Sequence, residues 1–349
     1  MAPVTSTLAL QGGASFAAYT WGVLDALLED GRLEFEGVTG ASAGAINAVA
    51  LAAGMASGGP DAARRSLRAF WEALADAAER RRRRRRLASV WSILGALRGP
   101  DSMRAFFAIT NRIAADFEID PDTMQPLRGV LDATIDFEKL RAAGAPRVFV
   151  NATDVRTRAI RVFSAGEITT DVVCASCCVP LLFAPVAIGN DHYWDGCFLG
   201  NPAIYPVLYE CESSDVVLVE TRPREGLRPP RSPRELLARV VDLSAIAGLA
   251  RELRMIDFVS ELVRQGQGDG RLGQLREVRV HRIDTPPALA ELEGAGSFRA
   301  DGAYFQRLCE LGREAARVWL EQSFAAGFGQ ERGAERPSAA TSPPRRAAT

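Results

Sequence analysis

Lysine is nearly missing from this chain: Lys139 is the only one, and arginine supplies the rest of the basic charge. Histidine is almost as scarce, with His192 and His281 as its two representatives, which leaves little material for imidazole chemistry. A formal net charge of −1 over 349 residues gives no bulk electrostatic argument for binding nucleic acid. No uninterrupted apolar run resembles a membrane span, since the nearest, residues 41–55, is alanine-rich and contains Asn47. The start lacks a basic n-region and passes from Leu8-Ala9-Leu10 almost directly into glycines, so it does not read as a secretory signal. Six cysteines without such a signal are expected to be reduced thiols of a cytoplasmic protein. Cys174-x-x-Cys177-Cys178 has no second cysteine or histidine cluster to complete four ligands, so no metal site is expected.

What the chain does contain is a regular alternation at its beginning. Residues 4–10 read as a buried strand running into Gln11-Gly12-Gly13-Ala14, and Trp21, Leu24, Leu27 and Leu28 fall at helical spacing over 16–29. A second β-like run, 33–39, leads into Gly40-Ala41-Ser42-Ala43-Gly44, and a small-residue apolar helix follows. This is a βαβα unit, which calls for a right-handed crossover and a parallel sheet. Further strands are predicted at 147–153, 158–163, 185–188, 192–194, 215–221 and 277–283, and helices at 60–79, 170–177, 234–265 and 301–324. The fold class is α/β.

A Gly-x-Ser-x-Gly between strand and helix is the nucleophile-elbow arrangement. The sharp turn lifts the serine hydroxyl above the sheet edge, and the first amides of the helix face any negative charge that develops beside it. Ser42 is thus the candidate nucleophile of an acyl hydrolase. It needs a neighbouring base, and the residues alone leave three candidates. His281 fits the chain order of α/β-hydrolases but sits inside the alternating run 278–283, where a structural role is favoured. His192 lies on a predicted hairpin, three residues before Asp195. Asp195 itself ends an apolar strand immediately before Gly196, a pattern that turn chemistry alone also produces.

Leu8-Ala9-Leu10-Gln11-Gly12-Gly13, Gly22-Val23-Leu24, Gly40-Ala41-Ser42-Ala43-Gly44 and Tyr193-Trp194-Asp195-Gly196 resemble, in that order, the patatin-like phospholipase family. Gly200-Asn201-Pro202-Ala203 and Pro180 add features of its bacterial members. The resemblance implies a three-layer α/β/α sandwich around a mostly parallel sheet, with a helical C-terminal extension. It implies a Ser–Asp dyad without histidine, in which Ser42 is the nucleophile and Asp195 the general base. The backbone N–H groups of Gly12, Gly13 and Ala14 would form the oxyanion hole, and Gly40, Gly44 and Gly196 complete the motifs. The implied substrate is a lipid or other carboxylic ester, with no cofactor.

The sequence departs from the family pattern in the glycine loop. Ala14 replaces a third glycine, Phe16 a polar residue and Ala17 a further glycine, while Cys197 stands where glycine or alanine is usual. A left-handed backbone at position 14 would cost alanine about 1 kcal/mol relative to glycine. The expected layout is a catalytic domain at 1–222 with a basic, apolar, lid-like insertion at 80–110, a helical extension at 223–324, and a disordered tail at 325–349. The insertion opens with seven arginines, Arg80 to Arg86, followed by Leu87, Val90, Trp91, Ile93 and Leu94. That run reads either as a solvated segment or as peripheral contact with an anionic membrane. No aromatic stacking platform accompanies it, so nucleic acid is not an expected partner. Two rival readings remain: a catalytically silent patatin-fold protein that binds membrane or a partner through this run, and a Ser-His-Asp hydrolase using His281.

Overall fold

Strand β1 (Val4–Leu10) sends Leu8 and Leu10 to one face of a sheet and Ala9 to the other, following the two-residue period of a strand. The computed structural model describes residues 2–96, 124–180, 182–222, 229, 233–265, 275–292, 300–326 and 328, with backbone alone at 84–96, 233–238, 241 and 290–292. Its other strands are β2 (Leu33–Ala41), β3 (Arg147–Asp154), β4 (Ala159–Ser164), β5 (Val186–Ile188), β6 (Asp191–Asp195), β7 (Asp215–Val219) and β8 (Arg279–Ile283). They form one sheet in the order β5-β6-β3-β2-β1-β7-β8, with β4 also paired to β3. The run from β3 through β2, β1 and β7 to β8 is parallel, whereas β4, β5 and β6 pair antiparallel.

The helices are α1 (Ala17–Asp30), α2 (Ala43–Ala96), α3 (Gln125–Thr134), α4 (Thr170–Ser176), α5 (Tyr205–Glu210), α6 (Pro233–Arg264), α7 (Pro287–Leu292) and α8 (Gly302–Ala325). On the Leu10 face, Val217, Val219 and Ile283 join a core built with α1, α2 and α8. On the Ala9 face, Phe149, Val216 and Leu218 lie under Ile204, Val207, Leu249 and Ile256. Both sheet faces are therefore covered, as a parallel sheet requires. The three-layer α/β/α sandwich around a mostly parallel sheet is present. Strand β8 and helix α8 show that the chain beyond residue 222 adds to the same sheet and the same helical layer.

Helix α8 crosses α1 closely enough that a Cβ at Gly22 would fall 1.9 Å from the Cys309 backbone oxygen. Gly22 thus serves helix packing, away from the chemistry. Asp25, buried on α1, pairs with Arg64 of α2 at 2.9 Å and with Arg313 of α8, joining three helices at one carboxylate. Helix α2 is broken at Gly58 and Gly59, whose dihedrals are not helical, and resumes at Pro60. The sequence predicts an end near residue 79, but the helix runs on through the arginines to Ala96. Arginine is a good helix former, and Glu79 pairs with Arg82 and Arg83 one turn on, which offsets part of the like-charge repulsion. The remainder of the 80–110 insertion, from 97, lies outside the described residues. In the predicted tail, Phe328 packs on Phe324 and Trp319, and 329–349 lie outside the description.

Candidate active site

Ser42 follows the last residue of β2 and holds φ at 53°, a left-handed conformation that a non-glycine residue adopts at a cost. Its carbonyl at once accepts the N–H groups of Ala45 and Ile46, at 2.9 and 3.3 Å, so α2 begins without a linker. The turn is pressed against β1: a Cβ at Gly44 would lie 2.1 Å from the Leu10 oxygen. Strand, strained serine and immediate helix make up the predicted elbow.

Register brings the carboxylate to the serine. Ala41 pairs with Asn151 of β3, and the next β3 residue, Ala152, pairs with Asp195 of β6. Where β2 turns away into Ser42, β6 takes its place along β3. The Ser42 side chain is one of the groups that act on the Asp195 carboxyl, and both residues are buried, at 7% and 2% exposure. The Asp195 N–H donates to Cys178 O (2.8 Å), and its carbonyl accepts the Thr153 hydroxyl (2.9 Å). Its Oδ1 accepts the Cys197 N–H at 2.8 Å. Burial pushes the Asp195 carboxyl up to about 6, against the opposing hydrogen bonds from the Cys197 amide, Ser42 and the Cys197 thiol. The carboxylate is therefore a better proton acceptor than a solvated aspartate, yet still ionised at neutral pH.

The glycine loop reaches the same point. A Cβ at Gly12 would sit 2.8 Å from Ser42 Cβ. The loop is held from three sides. Asn201 Oδ1 accepts the Gly12 N–H at 2.7 Å, Thr221 Oγ1 donates to Gly12 O at 2.9 Å, and Gln11 Oε1 accepts the Thr221 N–H at 2.8 Å. Of the three amides expected to receive an oxyanion, Gly12 is thus occupied by Asn201. Those of Gly13 and Ala14 have no partner among the described residues. Ala14 has φ 51°, so the departure from glycine falls on a left-handed position. Phe16, the other departure, is buried in the main core beside α1. Gly40 precedes the elbow within β2, and Gly196 opens the short 3₁₀ turn Gly196–Phe198 after Asp195.

Three buried residues not predicted from sequence hold these parts together. Ser176 Oγ accepts the Ser42 N–H (2.9 Å) and donates to Asn151 O (2.8 Å). The Asn151 side-chain amide donates to Gly200 O (2.9 Å) and Gly196 O (3.2 Å), fixing the turn behind Asp195. Asn47 of α2 donates to Ala17 O at 2.9 Å and accepts the Trp71 indole N–H at 3.0 Å, tying the elbow helix to the start of α1. Of the residues that hold the glycine loop, Asn201 and Gln11 had a sequence signal, in the Gly200-Asn201-Pro202-Ala203 and Leu8–Gly13 runs. Neither histidine joins the site. His281 Nε2 lies 2.7 Å from Asp215 Oδ1, at the end of β7 opposite to Ser42's turn, and its ring packs on Phe328. His192 is exposed on the β5–β6 hairpin.

Fold and site together define an α/β protein with a serine elbow facing a buried carboxylate. The chain belongs to the patatin-like phospholipase family, whose model matches residues 8–208. At the level of the family this is a lipid hydrolase fold. No curated protein matches the chain. Among solved structures it is similar to VipD from Legionella pneumophila, with 15% identity and a TM-score of 0.41 over 92% of this chain and 67% of that one. No described helix is long and apolar enough to cross a membrane.

Proposed function

We propose that the protein is a serine carboxylic ester hydrolase acting on phospholipids or related lipid esters through a Ser42–Asp195 dyad. The observation that carries this reading is the register that sets the buried Asp195 beside the strained Ser42, with the carboxyl raised to about 6. Asp195 takes the hydroxyl proton as Ser42 Oγ attacks the ester carbonyl carbon. Collapse of the tetrahedral intermediate returns that proton to the departing alcohol and leaves an acyl-Ser42. Asp195 then takes a proton from water, the hydroxide attacks the acyl carbon, and the carboxylic acid leaves as Oγ is reprotonated. The free amides of Gly13 and Ala14, with the first amides of α2, receive the oxyanion. A single such donor is worth about 2.7–4 kcal/mol in a protease studied by mutation. No metal or cofactor takes part.

In this reading residues 1–222 are the catalytic unit and 223–324 complete its sheet and helical layer. The exposed Arg80, Arg81, Arg82 and Arg83 begin a peripheral contact with an anionic membrane surface from the cytoplasmic side. The test is covalent labelling by a fluorophosphonate: expected in the parent, absent in Ser42→Ala and slowed in Asp195→Ala. The left-handed Ala14 and the occupied Gly12 amide favour a second reading, a catalytically silent protein that binds membrane through the arginines. It predicts no labelling, together with binding to anionic vesicles that survives Ser42→Ala and fails when the arginines are neutralised.

A further inference from the structure

Cys197 stands where Asp195 and the glycine loop meet, next to Ser42. A Cβ on Gly12 would lie 2.7 Å from its Sγ, and the same side chain packs between Ala41 at the end of β2 and Ala245 of α6. Its backbone N–H already bonds Asp195 Oδ1 at 2.8 Å, and its thiol is among the groups that act on the same carboxylate. A glycine or alanine in its place would bring no S–H to the carboxylate and would leave the space beneath Gly12 unfilled.

We propose that Cys197 is a positioning residue for Asp195: seated between the carboxylate and the Gly12 turn, its S–H, acting with its own amide, fixes the carboxylate toward Ser42. The inference rests on the reading of Asp195 as the base. Burial beside the carboxylate pushes the Cys197 thiol well above its ordinary value, so the sulfur keeps the proton it must donate. The other groups that act on Asp195 are the Ser42 hydroxyl on the elbow and three titratable side chains: Cys177 and Cys178 after α4, and Arg222 beyond β7, itself paired with Asp242 of α6. Burial also raises both thiols after α4, so neither competes as an anion.

The test compares the full chain with Cys197→Ala and Cys197→Ser, using two readouts. One is the Asp195 carboxyl titration by ¹³C NMR of aspartate-labelled protein, with Asp195→Asn for assignment. The other is the pH dependence of fluorophosphonate labelling at Ser42. Loss of the S–H donor disfavours the ionised carboxylate, so Cys197→Ala is expected to move the Asp195 midpoint up by about half to one pH unit. Cys197→Ser keeps a donor and is expected to hold the midpoint at or below that of the parent. Equal midpoints in all three proteins, or a rise in Cys197→Ser matching that in Cys197→Ala, would overturn the proposal. If the carboxyl midpoints shift as expected while Ser42 is never labelled, the thiol–carboxylate contact stands and the hydrolase reading falls instead.

Discussion

Asn201 Oδ1 accepts the N–H of Gly12 at 2.7 Å, joining residues 189 positions apart in the sequence. The bond fixes the loop proposed to carry the oxyanion donors, and it occupies one of the three amides of that proposal. In the proposed mechanism the chain exchanges a share of transition-state stabilisation for a rigid loop.

Asn201→Ala should show the structural side of that exchange. Asn201 is fully buried, and its loss leaves the Gly12 N–H without a partner, at about 1–3 kcal/mol. Urea unfolding should reveal the loss, and labelling of Ser42 should slow as the loop loosens. A variant as stable as the parent would show the contact to be dispensable.

Ala14→Gly should act in the opposite direction. The methyl group is held at φ 51°, where glycine is at ease, so the substitution is expected to stabilise by about 0.5–1 kcal/mol. Labelling at Ser42 should be equal or faster, because the freed backbone can aim its N–H at the oxyanion. Melting temperature and labelling rate measured on one preparation decide the matter, and a drop in both would refute it.

The Asp195 carboxyl, raised by burial to about 6, sets both a pH profile and a stability cost. In the proposed mechanism the base works ionised, so kcat/KM for an ester should rise with pH through a midpoint near 6. The folded state keeps this proton where the unfolded chain, with an ordinary value of about 3.9, has lost it. Its stabilising contribution is thus complete below the unfolded value and declines as pH rises through the folded one. Asp195→Asn should lower turnover by about 10²–10⁴-fold and raise the melting temperature at pH 8. A variant that turns over at the parent rate would remove Asp195 from the mechanism.

His281→Ala separates the dyad from a histidine triad. Turnover is expected to stay at the parent level, and unfolding at neutral pH to become easier by about 1 kcal/mol. Burial pushes Asp215 up, but hydrogen bonds from Arg279 and His281 outweigh it and hold the carboxyl well below its ordinary value. The stability this supplies is present above the unfolded value and lost as pH falls through the folded one, so the variant should lose less on acidification than the parent. Abolished turnover in a folded His281→Ala protein would contradict the dyad.

Local pattern determined a good deal by itself. The alternation of Leu8, Ala9 and Leu10, the helical spacing of Trp21 and Leu24, and the glycines about Ser42 each answer to a period or a turn that a few neighbouring residues enforce. Even the strain at position 14 was legible, because a loop that wants glycine exposes any residue that is not one. Tertiary structure alone decided the rest. Which of Asp195, His192 and His281 meets Ser42 depends on β6 taking over from β2 along β3, a register no local signal encodes. The same register turns Ser176 and Asn151, ordinary polar residues in the sequence, into the braces of the site. It was also the fold that gave the Gly12 amide to Asn201, since a backbone donor goes to whichever buried acceptor the chain brings within 3 Å of it.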